Sequence, residues 1–119
     1  MQFSRLAVIA IAALGFATTG FVHAQDKAKE RGPVVKVLLE NDKVRVAENT
    51  FKSGDVARAK RGARVNYYVK GGTFERTSPD GKSVRVERKT GTSLWLEADS
   101  DVVKNVGKTT IVLISVVHK

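Results

Sequence analysis

Cysteine is absent from this chain of 119 residues, and histidine occurs only as His23 and His118. With no thiolate and so few imidazoles, the side chains that hold iron, zinc or copper are nearly missing. The absence of cysteine also removes disulfides, so stability must come from packing alone. Helical patterning is missing as well. Beyond residue 33 no stretch repeats apolar residues at helical spacing over three turns, which argues against helices of any length. There is no internal repeat and no low-complexity tract, so one domain is the simplest organisation.

The apolar run at the N-terminus, Leu6 to Ala17, follows Arg5 and precedes small and polar residues ending Val22-His23-Ala24. That layout predicts a secretory signal peptide over residues 1–24, cleaved after Ala24. The run is shorter than the roughly 20 residues a membrane-crossing helix needs, so no span is expected after cleavage. A periplasmic or secreted location follows. Residues 25–32 are polar and aperiodic and read as a flexible leader; residues 33–119 form the predicted domain. The formal charge of +9 drops to +8 when Arg5 leaves with the signal, because no acid leaves with it. Such an excess favours anionic partners and solubility, but it defines no site. No nucleic-acid motif is present, and nucleic acid is not an expected partner.

From Pro33 onward, short segments rich in Val, Ile, Thr and aromatics alternate with turn residues, predicting an all-β sandwich or barrel. Strands are expected over 34–39, 44–51, 56–60, 63–70, 73–77, 83–89, 93–97, 102–104 and 109–117. Ser78-Pro79-Asp80-Gly81 predicts a hairpin, since Pro79 presets its own φ and Gly81 takes a positive φ without steric cost. Gly71-Gly72 reads as a second hairpin turn, joining 63–70 to 73–77. Alternation in Val44-Arg45-Val46 and Val84-Arg85-Val86-Glu87 would turn valines to the core and charges to solvent. Leu94 and Leu96 share one face, with Trp95 on the other. The last strand is apolar on both faces and reads as central and covered on both sides.

The order Val37 to Val46, Ser53-Gly54, Gly71-Gly72, Asp80-Gly81, Gly91 with Trp95, and Asn105-Val106-Gly107 resembles small exported cupin-like proteins, from about Val37 to His118. The resemblance implies a single cupin-like antiparallel β-barrel, a jelly roll. In that family two motifs supply histidines and a glutamate to a metal. Here the first histidine positions fall on Lys60 and Gly62, and the glutamate position falls near Val65 or Asn66. The later histidine falls on Asp101, while the asparagine is kept as Asn105. The resemblance therefore carries the fold without its metal set, and no cofactor is expected. A hard cation on Glu97, Asp99 and Asp101 is the remaining metal reading, because alternate residues of an extended segment share a face.

The stretch 58–64 is basic and without an acid, whereas Glu97-Ala98-Asp99-Ser100-Asp101 is acidic. Ion pairs in place of a metal are expected, with Lys60 or Arg58 facing Asp101 and Arg64 near Glu97 or Asp99. The leading functional expectation is a non-enzymatic binding module whose barrel holds a small anionic ligand, using Arg58, Lys60, Arg64, Tyr67, Trp95 and Asp101. Two alternatives stand beside it. One is a metal-independent isomerase or epimerase using Tyr67, Tyr68, Asp101 or Lys60; the other is a polyanion binder acting through the basic stretch. Edge strands leave room for a homodimer.

Overall fold

Nine strands and no helix make up residues 30–119, the part of the chain that the computed structural model describes. The expected signal peptide and most of the expected leader lie outside the described residues. Strands β1 (Val34–Glu40), β2 (Val44–Phe51), β4 (Arg64–Lys70), β7 (Ser93–Leu96) and β9 (Ile111–His118) form one antiparallel sheet, ordered β1-β2-β9-β4-β7. Strands β3 (Val56–Ala57), β5 (Gly72–Thr77), β6 (Ser83–Arg88) and β8 (Val102–Asn105) form the other, ordered β3-β8-β5-β6. The all-β expectation holds, and every expected strand has a counterpart. The Val56 amide donates to the Arg31 carbonyl at 2.8 Å, which ties residue 31 to β3.

Phe51, Tyr68, Phe74, Val103, Ile111 and Leu113 form the core, with Ala57, Val86 and Leu94 packed against it. Phe51 and Phe74 meet edge to face across the two sheets, with ring centroids 5.0 Å apart and planes at 80°. This arrangement places the positive ring edge against the negative ring face. Asn105 closes the same end of the barrel. Fully buried, it donates through its amide nitrogen to the Phe51 and Thr109 carbonyls at 3.0 and 2.9 Å, and its side-chain oxygen accepts from the Gly107 amide at 3.0 Å. Both amide donors and the side-chain oxygen are thereby engaged, so this residue acts as a pin between β2 and β8.

The Ser78 to Gly81 hairpin forms as expected, with Gly81 at φ 92° and its amide donating to the Ser78 carbonyl at 2.9 Å. Gly71-Gly72 does not make a hairpin. There the chain leaves one sheet for the other, β4 pairing with β7 and β9 while β5 pairs with β6 and β8. A glycine is needed at 71 for a different reason: a Cβ would lie 1.9 Å from the Arg88 carbonyl oxygen. Strand β9 is central, between β2 and β4, but its outer face is only half covered. The valines of β2 also turn the other way from expectation. Phe51 and Ala47 point inward, and the period of two puts Val44 and Val46 on the outer face.

Candidate ligand cavity

Between the sheets, beside the aromatic core, lies a cavity of about 320 Å³. Its floor is apolar, built from Phe51, Phe74, Val103 and Leu113, with Tyr68 beside them. Its wall is basic. Arg58, Arg61, Arg64, Arg76 and Arg88 line it, and among the described residues no aspartate or glutamate does. Strand periodicity accounts for three of these: Arg64 lies two and four residues from Asn66 and Tyr68, Arg76 two from Phe74, and Arg88 two from Val86, all inward-facing positions.

Three of the guanidiniums are held from behind by the acidic stretch. Asp99 accepts from Arg61 at 3.0 Å and from Arg64 at 3.1 Å, and Arg76 lies 3.2 Å from it as an ion pair. Asp101 accepts from Arg76 at 3.1 Å, and its carbonyl accepts from Arg61. Paired backbone bonds between Arg61 and Asp99, 2.8 and 3.0 Å long, set the two stretches against each other. Three positive and two negative charges leave this cluster with a net positive charge. Burial tends to raise the Asp99 pKa, but the Arg61 hydrogen bond and charge, the Asp101 amide and the Arg64 charge together hold it below its ordinary 3.8. The Arg64 pKa is lowered as well: burial pushes its guanidinium down, against the pull of Asp99.

The expected pairing of Arg64 with Asp99 is present, but its companions differ. Asp101 pairs with Arg76 on β5, and Glu97 accepts from the Trp95 indole. Lys60 is exposed, does not line the cavity, and makes no ion pair among the described residues. Of the six residues expected at the ligand, Arg58 and Arg64 line the cavity. Lys60, Tyr67, Trp95 and Asp101 do not. Tyr67 and Trp95 are 44% and 54% exposed on the outer face. The reason is parity: Tyr67 is three residues from Arg64, so one strand cannot turn both inward. An acid or base role for Tyr67 inside the barrel is removed with it. Arg61, Arg76 and Arg88 were not expected at the site.

The residues present do not suit the metal that the resemblance raises. Among the described residues, no group of three or more His, Asp or Glu side chains gathers where it could hold an ion. Glu97, Asp99 and Asp101 do not converge on a common point, because their carboxylates are turned to Trp95, to three guanidiniums and to Arg76. Each unit positive charge about 4 Å from a second costs roughly 4 kcal/mol at an effective dielectric of about 20. A dication at Asp99 would meet that repulsion several times over.

Comparison with protein families finds no match, and neither does comparison with curated proteins. Solved structures do resemble this chain. A cupin domain from Bordetella pertussis Tohama I aligns at a TM-score of 0.69 and 23% identity, over 76% of this chain and 97% of that one. A conserved protein with a double-stranded β-helix domain from Klebsiella pneumoniae aligns at 0.59 and 19%, over 73% and 76%. An RmlC-like cupin family protein from Methanocaldococcus jannaschii aligns at 0.59 and 14%, over 76% and 83%. At these identities the likeness establishes the fold, a cupin-type double-stranded β-helix, and leaves the chemistry to the cavity itself.

Proposed function

We propose that this cupin-type barrel is a non-enzymatic binding module, exported to the periplasm or secreted, that holds a small organic anion in its cavity. The supporting observation is the five arginines around a cavity that no acid among the described residues lines, with Asp99 and Asp101 already bound to three of those arginines. A guanidinium suits a carboxylate because its two N–H groups match the two oxygens. The apolar floor suits a hydrocarbon or aromatic body, and the volume falls at the low end of small-molecule sites, roughly 300 to 1,000 Å³. Among the described residues, the donor set that a metal-dependent reaction would require is not gathered there. Export rests on the N-terminal pattern of charge, apolar run and small-residue site.

Calorimetric titration with 3-phenylpropionate and with its neutral counterpart 3-phenylpropanol tests the anion reading. The acid is expected to saturate one site per chain about tenfold more tightly than the alcohol. Equal affinity, or no binding by the acid, contradicts it. Fusing residues 1–24 to an enzyme active only outside the cytoplasm tests export, with activity as the expected result.

A further inference from the structure

The polar atoms of the cavity carry more information than their charge. Asn66 is 6% exposed, on the wall formed by β4. Its amide nitrogen donates to the Tyr68 hydroxyl at 3.4 Å, but its side-chain oxygen is buried and accepts from nothing. The Nε–H groups of Arg61 and Arg88 are buried and donate to nothing. Arg88 is held over the Tyr68 ring, its guanidinium carbon 5.9 Å from the ring centroid. Tyr68 itself is almost fully buried, so it fixes both neighbours: Asn66 at its hydroxyl and Arg88 over its face. Buried polar groups in folded proteins are nearly always paired, and exceptions cluster where a ligand completes the set.

The unmatched set is two donors and one acceptor. A carboxylate answers the two N–H groups but has only lone pairs, so it cannot serve the Asn66 oxygen. A hydroxyl can, because it donates. We infer that the ligand is a hydroxycarboxylic acid with a compact apolar body: its carboxylate at Arg88 and Arg61, its hydroxyl donating to Asn66, and its body against Phe51, Phe74 and Leu113. This inference rests on the anion-binding reading above and narrows it. A cavity that leaves a polar group unpaired when the ligand lacks a hydroxyl discriminates more strongly than one that only loses apolar contact.

The test compares four probes of similar size on the intact protein by calorimetry: 3-phenyllactate, 3-hydroxy-3-phenylpropionate, 3-phenylpropionate and 3-phenylpropane-1,2-diol. At least one hydroxy acid is expected to bind about 10- to 100-fold more tightly than 3-phenylpropionate, and both acids of that pair more tightly than the diol. In Asn66→Leu, with folding checked by its melting transition, the ratio of hydroxy-acid to 3-phenylpropionate affinity should fall to about one. If both hydroxy acids match 3-phenylpropionate and all three exceed the diol, the hydroxyl inference is overturned and the anion reading survives. If no acid exceeds the diol, both fall. The probe series in the unmutated protein decides the matter even if Asn66→Leu does not fold.

Discussion

Where the five-stranded sheet borders the cavity, its two faces depart from the usual order. Its outer face carries an unbroken apolar row across all five strands, Leu39, Val46, Val116, Val65 and Trp95, each opposite the next in register. Its inner face packs Phe51, Tyr68 and Leu113 into the core, but at the cavity wall it also carries Asn49, Arg64, Asn66 and Ser115. A sheet with one solvated side normally turns apolar residues inward and polar residues out. Burying a guanidinium and an amide opposes folding unless each finds a partner, so an inward polar face is a departure that packing alone does not explain. Asp99 supplies the partner for Arg64, and no group among the described residues supplies one for the Asn66 oxygen. The contrast separates a wall arranged for a ligand from a face that makes no demand on one.

The largest effect is expected where the inner face is most dependent on a single group. Asp99→Ala leaves three guanidiniums without their shared carboxylate and should lower stability by about 3 to 5 kcal/mol, read from urea denaturation. The same residue sets a pH dependence. Its folded pKa lies below its ordinary 3.8, so the stabilisation it gives is complete above that value and is lost as pH falls through the folded value. Melting temperatures should drop more steeply below about pH 4 in the native protein than in Asp99→Asn, which has no proton to gain.

Next in size is a comparison within β6. Arg88 faces the cavity, whereas Arg85, three residues earlier, faces solvent. Arg88→Met should weaken 3-phenylpropionate about tenfold or more, and Arg85→Met by less than about twofold, the first having lost a charged hydrogen bond and the second only a distant charge. Equal losses would mean that net charge rather than the wall binds the anion. The smallest effect belongs to the outer face. Tyr67→Thr and Trp95→Thr should change affinity by less than about twofold and stability by less than about 1 kcal/mol, because β-branched residues are well accepted on an exposed strand face.

Much of this was legible along the chain, and the remainder shows where local reading stops. Alternation and turn residues located all nine strands, because a period of two and a positive φ are local properties. Pro79 and Gly81 were read correctly as a hairpin for that reason. Gly71-Gly72 were not, since a tight turn does not reveal whether the next strand joins the same sheet. The inward arginines left a signal that was available: Arg76 follows Phe74 by two, and Arg88 follows Val86 by two, so each shares the face of a core residue. Counting inward from Phe51 would likewise have turned Val46 outward. Joining Arg64 with Tyr67 in one cavity broke the same parity. The meeting of Arg61 with Asp99 was less accessible, because their isolated bridge joins segments 38 residues apart outside any named strand.

The contrast between the faces has one direct readout, the side-chain N–H signals of arginine and tryptophan in a ¹⁵N-labelled sample titrated with 3-phenylpropionate. The Nε–H signals of Arg61 and Arg88 should shift and saturate together while the Trp95 indole signal stays in place. A shift at Trp95 with the two arginine signals unmoved would put the ligand on the outer face and contradict the account.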